Sequence, residues 1–152
     1  MAGNRIERSE VIATLNQILE SELAGVVRYM HYSFMVFGYS RIPVVGWLRG
    51  QADESLLHAQ EIGELITALG GHPSLGIGEL LETHHHDLGD ILRESLEHER
   101  AAIGLYEQLL ELVQGRNVML EEFARQKIAA ECQHLSEVDK MLRQANGLPV
   151  GA

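Results

Sequence analysis

Apolar residues recur three and four positions apart over most of this chain, and nowhere do they alternate long enough to make a strand. The first such stretch runs from about Arg5 or Ser9 to Phe37 and closes at Gly38. A second opens at Pro43, a residue suited to the first helical turn, and stops at Gly70-Gly71. A third opens near Thr83 as its N-cap and stops before Gly115, and a fourth follows the N-cap candidate Asn117 and stops at Asn146-Gly147. Each would be a helix of about 30 residues, roughly 40 Å long at 1.5 Å per residue. Matched lengths of this kind predict an all-α four-helix bundle, one domain spanning residues 1–152. The joints after Gly38 and Gly115 are short, so helices one and two, and helices three and four, should be antiparallel neighbours. Between the pairs, GHPSLGIGELLE (Gly71 to Glu82) can traverse the bundle, which gives one long crossover between helices two and three.

The chemistry lies where polar residues interrupt the apolar stripes. Helix one reads Leu15, Leu19, Glu22, Val26, Tyr29, and helix two reads Leu48, Gln51, Ser55, His58, Ile62, Leu65, Leu69. Helix three reads Leu88, Leu92, Ser95, Glu99, Ala102, Tyr106, Leu109, and helix four carries Glu131 between Ile128 and Leu135, with His134 one turn on. An unpaired buried carboxylate costs several kcal/mol. One such glutamate usually reaches water at a boundary, and one such histidine is usually a satisfied core residue. Three glutamates and two histidines at similar depth on four facing helices need a shared partner. A metal cluster satisfies them all, because imidazole and carboxylate oxygen suit iron, manganese or zinc. Glu131-Cys132-Gln133-His134 is Glu-x-x-His, which sets both groups on one helix face. The same spacing in Glu82-Thr83-His84-His85 falls at a helix start, where solvent satisfies it.

The remaining polar and apolar candidates have plainer readings. Tyr29 is core packing by default, and a tyrosine that gives an electron or a hydrogen bond near metals in the sharper reading. Met30, Met35, Met119, Met141 and Trp47 read as packing, Cys132 as a small buried residue, and Glu97, His98 and Glu107 as solvated surface. Gly25, Gly63, Gly89 and Gly104 fall inside helices, where close helix crossings would explain them.

Composition narrows the class. With 12 Lys+Arg against 22 Asp+Glu, a formal charge of −10 argues against nucleic acid as a partner and for solubility or cation attraction. A single cysteine in 152 residues excludes a disulfide scaffold, a rubredoxin module and a Cys-rich zinc domain. No apolar run approaches the ~20 residues of a membrane span, and MAGNRIERSE lacks a signal peptide's apolar stretch. The expected setting is the cytoplasm, with no membrane partner.

At Glu22, His58, Glu99, Glu131 and His134 the chain resembles the bacterioferritins of the ferritin-like superfamily, from about Leu15 to Leu142. The resemblance implies a crossover bundle with an intrasubunit di-iron centre that oxidises Fe(II) with dioxygen or peroxide and stores Fe(III) in a shell. The family's ligands fall on Glu22, on Ser55 and His58, on Glu99, and on Glu131 and His134; its tyrosine near the metals falls on Tyr29. Glu22 and His58 would then hold one metal, Glu99 and His134 the other, and Glu131 would bridge. Other divalent metals would fit the same ligands.

Three departures shape the expectation. Ser55 replaces the bridging glutamate of helix two, which implies weaker, lopsided sites; Glu54 and Glu61 flank it but should sit about 100° round the helix from core-facing neighbours. Leu56 replaces the haem-ligating methionine, so no haem is expected. After Gly147 there is no counterpart of the short fifth helix, so a 24-mer stands beside a 12-mer or a dimer as the homo-oligomer. The alternatives to a storing ferroxidase are a di-metal oxidase or peroxidase without storage and an impaired subunit that co-assembles with an active partner.

Overall fold

A computed structural model describes residues 2–143, with side chains from Glu7 onward. The order is α1 (Ala2–Met35), α2 (Arg41–Ala68), α3 (Leu88–Val113) and α4 (Val118–Leu142), and no strand occurs among the described residues. The expected four helices and long crossover are all present. α1 packs on α2, α3 on α4, and α1 on α3, whereas α2 and α4 approach each other only through side chains. None of these helices is long and apolar enough to cross a membrane.

The tight turns follow from local chemistry. Gly38, with φ 99°, takes the chain out of α1 through a left-handed step that costs glycine little. Arg41 then reaches back with Nη1 to the carbonyls of Ser33 (2.8 Å) and Val36 (3.1 Å), covering the open end of α1. Asn117 caps α4 as expected, its Oδ1 accepting the Leu120 N–H at 3.0 Å.

Some boundaries differ from the periodicity. α2 begins two residues before Pro43, and α1 ends two residues before Phe37. Thr83 is not the cap of α3: Asp87 is, its carboxylate accepting the Asp90 N–H at 3.1 Å, and the hydroxyl of Thr83 instead donates to Glu94 at 2.7 Å. The Glu82–His85 segment is therefore irregular chain rather than a helix face. α4 closes at Leu142, and Asn146-Gly147 lies outside the described residues. Of the helical glycines, Gly25 does sit in a close crossing, where a Cβ would come 2.9 Å from Ser55 Oγ; Gly63 and Gly104 face open space and no crossing explains them.

The crossover is laced to α1 along its course. Asn16 Nδ2 donates to the His72 carbonyl, the Ser74 and Gly78 amides donate to Asn16 and Glu20, Arg28 donates to the Glu79 carbonyl, and the Phe37 amide to that of His86. Rising crossover numbers meet rising α1 numbers, so the segment runs parallel to α1 and delivers α3 to the end where α2 began. α1 and α4 point one way, α2 and α3 the other.

The core is divided. One apolar block gathers Leu15, Ile18, Ile62, Ile66, Leu109 and Leu120, and another gathers Tyr29, Val36, Val44, Leu48 and Ile91. Between these blocks in sequence register lie Glu22, Ser55, His58, Glu99 and Glu131, all buried. That level holds the chemistry.

Candidate metal centre

Each polar residue arrives at this level because its helix buries the stripe it belongs to. Glu22, His58, Glu99 and Glu131 are each only 4% exposed, and the side chain of His134 is 19% exposed. Glu22, His58 and Glu131 each bring a ligand atom within 4.8 Å of the others, and so do Glu99, Glu131 and His134. Glu131 belongs to both groups.

Two tyrosines anchor the acids on α1 and α3. Tyr106 donates to Glu22 Oε1 at 3.1 Å, and Tyr29 donates to Glu99 Oε1 at 2.5 Å. Burial first, then the neighbouring carboxylate, raises both phenols above their ordinary value, so each stays a hydrogen-bond donor. Tyr106 was legible only as a stripe residue; nothing in its spacing tells a packing tyrosine from one aimed at an acid.

The histidines present the same nitrogen inward. His58 Nδ1 lies 3.6 Å from both Glu22 Oε2 and Glu131 Oε1, and His134 Nδ1 lies 3.6 Å from Glu131 Oε2. Their Nε2 atoms face Glu54, at 3.8 Å from His58 and 2.9 Å from His134. Glu54 is thus not turned away from the centre, as its place on the helix implied. α2 and α4 leave a gap between their backbones, and the long Glu54 side chain spans it. Glu61 does point elsewhere, pairing with Lys127 Nζ at 2.6 Å.

The electrostatics describe a site that attracts positive charge. Burial raises Glu22 against the pull of His58, and burial together with Glu131 raises Glu99 well above the ordinary carboxylate range. Burial also opposes the charge of Glu131, but the nearby His134 and the Glu99 carboxyl, with the charges of both imidazoles, outweigh it and hold Glu131 low. The histidines are both raised, His134 chiefly by Glu131 and His58 by Glu22 against its own burial. Protons gather around an ionised Glu131, and a divalent ion would displace them.

His58 Nδ1 and Glu131 Oε2 are buried without a hydrogen-bond partner. A buried orphan atom of this sort costs roughly 1–3 kcal/mol, which a metal bond would relieve. The donor set therefore fits a metal pair. Ser55 is buried beside Gly25 and supplies no carboxylate. Several burial expectations need correction, and Met119 and Met141, expected as packing, are exposed. Glu97 and Glu107 are exposed as expected, but His98 is half-buried on α3, and burial, aided by Arg28, lowers its pKa to about 4. Cys132 is exposed rather than buried, because it lies on the outer face of α4 next to Glu131.

Residues 12–148 match the family model described as the ferritin-like domain. Solved structures of the same fold include a ferritin-like diiron-carboxylate protein of Bacillus anthracis, 25% identical, covering 90% of this chain and 98% of its own, at a TM-score of 0.85. A bacterioferritin of Rhodobacter capsulatus is 21% identical, with 95% and 97% covered and a TM-score of 0.82. The bacterioferritin-related dodecameric thioferritin of Bacteroides fragilis is 24% identical, with 86% and 83% covered and a TM-score of 0.78. No curated protein shows significant similarity.

Proposed function

Since this chain belongs to the ferritin-like domain family, we propose that it binds iron as a pair of ions inside the bundle, oxidises Fe(II) and stores Fe(III). The observation that carries this reading is the convergence of two ligand groups on Glu131. Glu22 and His58 hold one ion, Glu99 and His134 the other, and Glu131 bridges them. Iron supplies the electrons, and dioxygen or peroxide takes them up. The chain's own contribution is geometric: Tyr106 and Tyr29 hold two acids, Glu54 orients both imidazoles, and the apolar blocks exclude water. In this reading Tyr29, hydrogen-bonded to Glu99, donates an electron to the centre.

An anaerobic Fe(II) titration followed by oxygen tests this. Because Ser55 supplies no carboxylate, two ions per chain that fill unequally and slow Fe(III) formation are expected, both lost in Glu131→Ala; no Fe(II) uptake by the native chain would overturn the reading.

Storage requires assembly. Val27 and Phe34 on α1 and Leu56 and Leu57 on α2 are exposed, an apolar face of the kind that copies of one chain cover. Relatives of the fold include a protein described as dodecameric, which supports a shell. Light scattering that returned a 16.9 kDa monomer would end the storage role but not the oxidation role. Leu56 offers no ligand atom, so no haem Soret band is expected from protein made with ample haem. Ser55 favours a second reading, an impaired subunit that co-assembles with an active partner, which iron binding without turnover by the isolated chain would support.

A further inference from the structure

Away from the buried acids, two histidines from distant parts of the chain meet. His84 Nδ1 lies 3.4 Å from His31 Nε2, with the rings inclined at 65°. In one tautomer this is a long hydrogen bond, beyond the usual range of about 2.7–3.2 Å. It matches two nitrogens on one tetrahedral ion: bonds of about 2.0–2.1 Å set them about 3.3–3.4 Å apart.

The surroundings hold this pair in place. His84 has φ 54°, the left-handed region that side-chain-bearing residues seldom enter. Its neighbours are engaged elsewhere, Thr83 and His85 with Glu94, and His86 with the Met35 carbonyl and the Phe37 ring. Of the three consecutive histidines, His84 is the one that meets a second imidazole. The pair lines a cavity of about 360 Å³ with Val27, Tyr32 and Glu82, with room for an ion and its waters.

We propose that His31 and His84 form a second metal site, separate from the acid cluster, which takes a borderline ion of the Zn²⁺ class with water in the remaining positions. A pair of imidazole donors favours zinc, nickel or copper over Fe(II) and Mn(II), whereas the buried cluster is richer in carboxylate, so the two sites differ in preference. The ion clips the crossover to α1 across 53 residues of sequence.

Equilibrium dialysis against Zn²⁺ with metal analysis tests the site on the full chain in its native assembly. His84→Asn keeps a residue that tolerates left-handed backbone, and His31→Gln keeps a polar helix residue. Each should bind one zinc fewer per chain, whereas His85→Asn should match the native protein. The same one-ion difference should persist between Glu131→Ala and Glu131→Ala/His84→Asn, which separates this site from the acid cluster. Native stoichiometry in both His31→Gln and His84→Asn would overturn the proposal, as would an equal loss in His85→Asn, which means diffuse binding by the histidine run.

Discussion

The two sides of the buried cluster are built differently. On the α1/α3 side the helices pack closely, and each acid is gripped by a tyrosine: Glu22 by Tyr106, Glu99 by Tyr29. On the α2/α4 side the backbones stay apart, and the histidines are joined through Glu54, itself one-third exposed. The first side is set in advance, while the second can adjust and is the side nearest water. Preorganisation should therefore show up as fold stability on one side and as metal affinity on the other.

The largest test removes what the sides share. In the native protein, Mn²⁺ at a hundred times its dissociation constant should stabilise the fold by about 2.7 kcal/mol. With Glu131→Ala that gain should vanish in thermal melts; an undiminished gain would place the ions elsewhere. Next, Glu54→Ala should weaken metal binding about 10- to 100-fold, the usual cost of losing a carboxylate behind a ligating histidine, and leave metal-free stability within about 0.5 kcal/mol. Calorimetry showing unchanged affinity would break the contrast on the open side. Ser55→Glu should tighten binding about tenfold, or 1.4 kcal/mol, and speed Fe(II) oxidation measured by stopped flow; if neither moves, the helix-two ligand assignment is wrong. The smallest effect on affinity is expected from Tyr106→Phe, which should instead cost about 1–3 kcal/mol in urea unfolding because Glu22 loses its buried donor. A large affinity loss with intact stability would reverse the comparison.

The bundle and its acids were legible because burial imposes a period on the sequence and a carboxylate within that period is conspicuous. Glu22, His58, Glu99 and Glu131 could be named on those grounds. Glu54 could not, because its role depends on how far α2 stands from α4, a distance that no single helix records. His98 was misread for a related reason: it turns toward α1, where Gly25 leaves room for its ring, a contact that the period of α3 alone does not record. The start of α3 moved to Leu88 because Thr83 spends its hydroxyl on Glu94, a partner eleven residues away, rather than on a backbone amide.

The lacing of the crossover along α1 also bears on how the chain folds. Each tie closes a loop of some fifty residues between an α1 group and a crossover group, as with Asn16 and Ser74 or Arg28 and Glu79. Such closure costs entropy that grows only slowly with length, and it becomes worthwhile once the α1–α2 hairpin exists. We therefore expect the crossover to be as protected as the helix it is tied to. In native-state hydrogen exchange, the Gly78 amide bound to Glu20 and the Phe37 amide bound to His86 should open together with α1.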